Sequence, residues 1–176
     1  MTVLNMSEPH REASPLVGVV LADCEACPHR ALLVSGQCVP GDICVSAQSG
    51  RQIDRFLRRN AQFAQDYLRD EFWERRAIAA RYAPLELMRQ MPRDADEVVR
   101  RVVASRLPID ELGDYLDDSD REVRMTVAER ITPEHLHSLM HDEDYLVRLQ
   151  VAKRLPHGQL RRSADGTASD VRTVVA

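Results

Sequence analysis

Residues 96–107 read Asp96-Glu-Val-Val-Arg-Arg-Val-Val-Ala-Ser-Arg-Leu107, and the pattern returns twice. It recurs as Asp120-Arg-Glu-Val-Arg-Met-Thr-Val-Ala-Glu-Arg-Ile131 and as Asp144-Tyr-Leu-Val-Arg-Leu-Gln-Val-Ala-Lys-Arg-Leu155, each copy 24 residues after the last. Columns extend beyond these three copies. One valine column is Val99, Val123, Val147 and Val171, and the next is Val103, Val127, Val151 and Val175. Arginines stand at Arg76, Arg100, Arg124, Arg148 and Arg172, and alanines at Ala80, Ala104, Ala128, Ala152 and Ala176. Leu107, Ile131 and Leu155 close the first element, and Met88, Leu112, Leu136 and Leu160 mark a second. Several columns sharing one period identify a repeat array. Phe72–Ala95 is a degenerate first copy and Ala168–Ala176 a fragment of a last one, about four and a half repeats in all.

Within a copy the apolar positions fall at i, i+4 and i+8 (Val99, Val103, Leu107), which is one face of an α-helix. The aspartates Asp96, Asp120 and Asp144 precede that stripe by three residues, where a carboxylate can accept the helix's free N–H groups. Pro84, Pro108, Pro133 and Pro156 then stop the helix. Only one short turn of helix fits around Leu112 and Leu116, and no period-two alternation suggests a sheet. A single repeat buries too few aliphatic side chains to offset the entropy of ordering 24 residues. Neighbours must therefore stack, and the expected fold is an all-α helical solenoid.

Composition bounds the function. The chain has 176 residues, 44% hydrophobic and 30% charged, the balance of a folded globular protein. Its net charge of -4 and its 5% aromatic content argue against nucleic-acid binding. Residues 71–176 carry 17 basic and 20 acidic side chains, so the arginine column reads as salt-bridged surface. Arg100, Arg124 and Arg148 each follow an aspartate by four residues (Asp96, Asp120, Asp144), the spacing of a helix ion pair. A second arginine ladder, Arg106, Arg130 and Arg154, has no obvious acidic match. The longest apolar run, Leu16–Ala22, is far short of the roughly 20 residues that span a bilayer. It follows Glu8, Arg11 and Glu12 instead of a basic segment, so a signal peptide is not expected and the chain reads as cytoplasmic.

All four cysteines lie between residues 24 and 44. Cys24 and Cys27 form a C-x2-C pair, and Cys38 and Cys44 flank Pro40-Gly41-Asp42, a turn able to fold one back on the other. Reduced compartments favour metal ligation over disulfides. Four thiolates close a site for an iron–sulfur cluster or for zinc, and spacing alone leaves both open, with unligated thiols or a redox pair as the remaining alternatives. His29 is a conceivable extra donor, although a solvent-facing loop histidine is the simpler reading. The chain divides into residues 1–15, a flexible N-terminus, 16–70, the cysteine module, and 71–176, the repeats.

Asp23-Cys-Glu-Ala-Cys-Pro-His-Arg30, Gly36-Gln-Cys38, Gly41-Asp-Ile-Cys44, Ser49-Gly-Arg-Gln-Ile-Asp-Arg-Phe56 and Phe72-Trp-Glu-Arg-Arg-Ala-Ile-Ala79 resemble the iron–sulfur leucine-rich repeat variant (LRV) proteins of nitrogen-fixing bacteria. The 24-residue repeat resembles that family's repeat as well. The resemblance runs from about residue 18 to the C-terminus. It implies a [4Fe–4S] cluster on Cys24, Cys27, Cys38 and Cys44, a right-handed superhelix of alternating α- and 3₁₀-helices, and an association with nitrogen fixation.

Other features are weighed against this frame. Ser49-Gly-Arg-Gln52 reads as a capping box opening a helix. On that helix Arg51, Arg55, Arg58 and Arg59 oppose only Asp54, which reads either as a solvated helix face or as a docking face for a protein partner such as an acidic redox protein. Asn60 is expected to cap a further helix through Phe63, Tyr67 and Leu68. His135, His137 and His141 cluster in one linker, a weak second metal candidate. No phosphate loop, nucleophile elbow or Cys/His dyad is present, so an enzyme is not expected. Oligomeric state is not legible.

Overall fold

Each aspartate ahead of a valine stripe sits at a helix N-terminus. Asp96 accepts from the N–H groups of Val98 and Val99, Asp120 from those of Glu122 and Val123, and Asp144 from Leu146. In this computed structural model, which describes residues 22–89 and 93–155, four ten-residue helices begin 24 residues apart. They are α2 (Trp73–Tyr82), α4 (Glu97–Arg106), α5 (Arg121–Arg130) and α7 (Tyr145–Arg154). Between them lie the short second elements: α3 (Leu85–Arg89), the 3₁₀ helix Ile109–Tyr115, and α6 (Pro133–Leu136) running into the 3₁₀ helix His137–His141. α2 packs on α4, α4 on α5 and α5 on α7, so the repeats stack in chain order. Val171, Val175, Ala176 and Leu160 lie outside the described residues.

The predicted columns form the core. Val99, Val123 and Val147 are fully buried, as are Ala80, Ala104, Ala128, Leu112 and Leu136. Ala83 and Leu107, each followed by proline, are extended and end their helices. The core is one contiguous cluster from Cys38 to Leu155, so the cysteine segment shares it with the repeats. The link is α1 (Gly50–Arg59), which buries Ile53, Phe56 and Leu57 and packs against α2. No strand occurs among the described residues, only an isolated bridge between Val39 and Ile43.

The arginine ladders pair differently from the sequence expectation. Asp96 is occupied as a cap, and Arg100 instead reaches 18 residues onward to Asp118, with Nε to Oδ2 at 2.9 Å and Nη2 to Oδ1 at 2.9 Å. Arg76 engages Asp94 and Arg124 engages Asp142 in the same two-pronged way. Each of these aspartates also accepts the N–H two residues on, that of Asp96, Asp120 or Asp144, and so shapes the turn into the next helix. The pairs are nearly sealed: the Asp118 side chain is 2% exposed and the Arg124 side chain 7%. The second ladder also has partners. Arg106 donates to the carbonyls of Ala80 and Ala83, Arg130 to Ala104 and Leu107, and Arg154 to Ala128 and Ile131. These are carbonyls at the end of the preceding repeat's helix, which lack intrahelical donors and attract a cation.

Two expected caps are replaced. The Ser49 side chain makes no cap hydrogen bond, and its backbone carbonyl serves Gln52 and Ile53 instead. The Glu74 carboxylate lies so close over Gly50 that a Cβ there would collide with its Oε1, and it supplies negative charge at the start of α1. Ser49→Ala should therefore change the urea midpoint by the equivalent of less than about 0.5 kcal/mol, where loss of a working cap costs about 1. Asn60 is likewise not a cap. It is buried, and its Nδ2 donates to the carbonyls of Phe56 and Gln37, tying α1 to the cysteine segment ahead of the 3₁₀ helix Ala61–Tyr67.

Candidate metal centre

Local turns bring the cysteines together. Asp23 Oδ1 accepts the N–H groups of Glu25 and Ala26, an Asx-type turn that folds the Cys24–Cys27 knuckle. The chain then enters the 3₁₀ helix Arg30–Leu33 and reverses at Gly36, whose φ of 67° suits glycine. Val39 and Ile43 exchange backbone hydrogen bonds across a tight turn in which Gly41 has φ 80°. Cys38 and Cys44 flank that bridged pair, so the Pro40-Gly41-Asp42 turn does fold one back towards the other. Both are buried, while Cys24 and Cys27 are partly exposed.

Burial first, then the proximity of Cys44, Cys27 and Cys24, pushes the Cys38 thiol up to about 11. Burial also raises Cys44, an effect that the nearby backbone N–H groups of Ser46 and Ala47 partly oppose. Cys38 and Cys44, whose ionisation is opposed by burial and by the neighbouring thiols, need a cation to take up the thiolate charge. The residues thus fit a four-thiolate iron–sulfur centre: Cys38 and Cys44 as its inner ligands and Cys24 and Cys27 as its outer ones. Among the described residues no three Cys, His, Asp or Glu side chains already converge on a single-ion position.

His29 is neither a solvent-facing loop residue nor placed as a donor. It is buried, its Nε2 lies 2.6 Å from Tyr67 Oη, and its ring packs on Phe56 and Phe63. Burial lowers its pKa despite Asp66 nearby. Burial first, then Cys27, pushes the Tyr67 hydroxyl up to about 12. The docking arginines divide. Arg55 is ion-paired with Asp42 and Arg51 lies 4.0 Å from the same carboxylate. Arg59 Nη1 approaches the Gly36 carbonyl, and Arg58 is exposed. Asp54, the expected counter-charge, turns to Tyr82 and Arg81 of α2. In the histidine linker, His135 contacts Thr132 and His137 contacts Met140, and no metal grouping forms there.

Comparison with known proteins agrees with this geometry. Residues 20–66 match the family model described as LRV protein FeS4 cluster. A solved structure, described as a leucine-rich repeat variant with a novel repetitive protein structural motif, superposes with a TM-score of 0.83 at 51% identity, covering 88% of this chain and 67% of that one. The chain therefore belongs to the iron–sulfur leucine-rich repeat variant family. It is also 34% identical over 85 residues to an uncharacterized 27.7 kDa protein in the nifB 3' region of Rhodobacter capsulatus, a match covering 48% of this chain. This chain spans 35% of the length of that relative. No helix among the described residues is long and apolar enough to cross a membrane.

Proposed function

We propose that the chain is a non-enzymatic, cytoplasmic [4Fe–4S] protein that exchanges single electrons with a protein partner, or reports redox state to it, in the service of nitrogen fixation. The observation that carries this reading is the set of four free cysteines in one short segment, Cys38 and Cys44 sealed in the core and Cys24 and Cys27 partly exposed. A cluster bound there supplies one-electron chemistry. The residues contribute thiolate ligands, hydrogen bonds to sulfur and exclusion of water, which together set potential and lifetime. The relative from the nifB 3' region supplies the physiological context. The exposed arginines beside the cysteine segment, Arg51, Arg58 and Arg59, offer the partner a basic rim whose pull salt would weaken.

A second reading is that the metal only staples the segment, and one observation favours it. Between residues 22 and 49 the side chains in the apolar core are Cys38, Ile43, Cys44, Val45 and Ala47, while Val34 and Val39 face solvent. A segment so poor in core gains its order from a bound metal. The discriminating test is iron and acid-labile sulfide content on protein purified without oxygen, followed by a redox titration. About four iron and four sulfide per chain, with colour bleached by dithionite and restored on oxidation, supports the electron-transfer reading. A redox-silent cluster supports the staple, and one zinc without sulfide ends the electron-transfer reading.

A further inference from the structure

The first repeat departs from the pattern at one buried position. The column Val99, Val123 and Val147 continues backwards to Arg75. A charged residue thus stands where every later described repeat packs a fully buried valine. In those repeats the valine belongs to a helix stacked on a preceding repeat helix. α2 has no such helix before it and packs instead against α1. The aspartate column also continues backwards, to Asp70, which accepts the Phe72 N–H as its counterparts accept theirs. The position 18 residues before Asp70, where later rungs hold an arginine, is Gln52. Arg75 takes that place from its own repeat.

Its guanidinium is fully engaged. Nη1 contacts both Asp70 oxygens at 2.8 and 2.9 Å, Nε donates to the Val45 carbonyl at 2.8 Å, and Nη2 reaches the Ala47 carbonyl at 3.4 Å. The group also lies over the Phe72 ring. Val45 and Ala47 belong to the loop that follows Cys44. The Val45 carbonyl belongs to the residue just after Cys44, and the N–H of Cys44 itself donates to the Gln52 carbonyl of α1, so the cysteine is held from α1 on one side and from Arg75 on the other.

We propose that Arg75, clamped by Asp70, is the positioning residue of the Cys44 arm: it fixes the Val45 and Ala47 carbonyls and with them the loop that follows the Cys44 ligand. This role presupposes that Cys44 is a cluster ligand. It makes the first rung of the repeat ladder the mechanical support of the metal centre and accounts for an arginine in a valine column. Lysine at 75 could engage one carbonyl as a point charge but not the fork of carbonyl and carboxylate contacts.

The test uses the full chain carrying Arg75→Met, Arg75→Lys or Asp70→Asn, with two readouts. One is residue-resolved amide exchange in the metal-free protein; the other is the rate at which loaded protein loses iron to an excess of chelator. Arg75→Met should speed exchange at Ser46 and Ala47, and iron loss, by about tenfold or more, the usual weight of a partner that orients a ligand. Exchange at Val103 and Val127 should stay unchanged. Arg75→Lys and Asp70→Asn should fall between, and Asp70→Asn retains the guanidinium should the methionine variant not fold. Unchanged exchange at Ser46 and Ala47 with unchanged iron loss in both Arg75→Met and Asp70→Asn would overturn the role. So would acceleration spread evenly over α2 and α4, which marks general destabilisation. If the unsubstituted chain carries no iron, the cluster reading fails by itself, and amide exchange still decides whether Arg75 orients the loop.

Discussion

Replacing Asp118 with Ala is expected to cost the repeat module about 3–5 kcal/mol, because it strands the Arg100 guanidinium in a nearly dry site. Asp118 is 2% exposed and Arg100 11%. The same carboxylate accepts the Asp120 N–H at the turn into α5, so the change removes a turn contact along with the charge. Arg89–Glu111, an exposed pair at a similar distance of 2.8 Å, is the control, and its disruption should cost no more than about 1 kcal/mol. Urea unfolding followed by helical circular dichroism measures both. An equal cost for the two pairs would show that burial does not set the weight of the rungs. Replacing Arg100 and Asp118 together by apolar residues should recover much of the loss, since the penalty lies in the unpaired charge.

The same rungs give an acid dependence of determinable sign. Burial alone would raise the Asp118 carboxyl, but the Arg100 hydrogen bonds, the Asp120 N–H and the charges of Arg100 and Arg93 together hold it below its ordinary value. Asp94 is lowered against its own burial in the same manner, by Arg76, the Asp96 N–H and the charge of Arg100. A carboxyl lowered on folding adds stability that is complete above its unfolded pKa, about 4. That stability is lost as the pH falls through the lowered native value. Through these carboxyls the urea midpoint should drop below about pH 4, with a shallower drop in Asp118→Ala, in addition to the smaller loss that the lowered His29 brings as the pH falls below its unfolded value of about 6.5.

The repeat was legible because its core residues carry their own signal. Val99, Val103 and Leu107 announce a helix face, and Asp96 announces where the helix begins. Sequence spacing assigned Arg100 to Asp96 because i−4 is the local option, whereas the partner lies 18 residues away and the local carboxylate is spent on N–H groups. The column Asp70, Asp94, Asp118 and Asp142 was present at the same period and would have disclosed the pairing. Arg106 could not have been matched to any letter, since its acceptors are main-chain carbonyls of another repeat. At the metal centre, the Pro40-Gly41-Asp42 turn and the C-x2-C knuckle foretold the local turns on which the cysteines sit. The burial of His29 depends on three rings from α1 and the helix after it, contacts that a local pattern does not encode. Arg75 was visible only as an exception to its column, and only once the repeat register was known.

Serine in place of any one of Cys24, Cys27, Cys38 or Cys44 is expected to abolish stable cluster retention, leaving less than about a tenth of the iron after chelator treatment, since ligand and neighbouring contacts are each worth at least tenfold. The four variants should separate in the metal-free state. Cys24 and Cys27 are partly exposed, and a hydroxyl there meets water. Cys38 is buried in the apolar core beside Ile43 and Val45, where a hydroxyl without a partner costs about 1–3 kcal/mol. Cys44 is buried as well, so Cys44→Ser should be destabilised like Cys38→Ser, and both more than Cys24→Ser and Cys27→Ser. Ligand loss should loosen residues 22–49, whose order depends on few core side chains, while α4, α5 and α7 stay folded on their own stacked valines and buried arginine rungs. Amide exchange resolves the two regions in one experiment. Full iron and sulfide in all four single variants would remove the cysteines from the ligand set; melting of α5 and α7 along with residues 22–49 would show that the repeats lean on the cluster as well as supporting it.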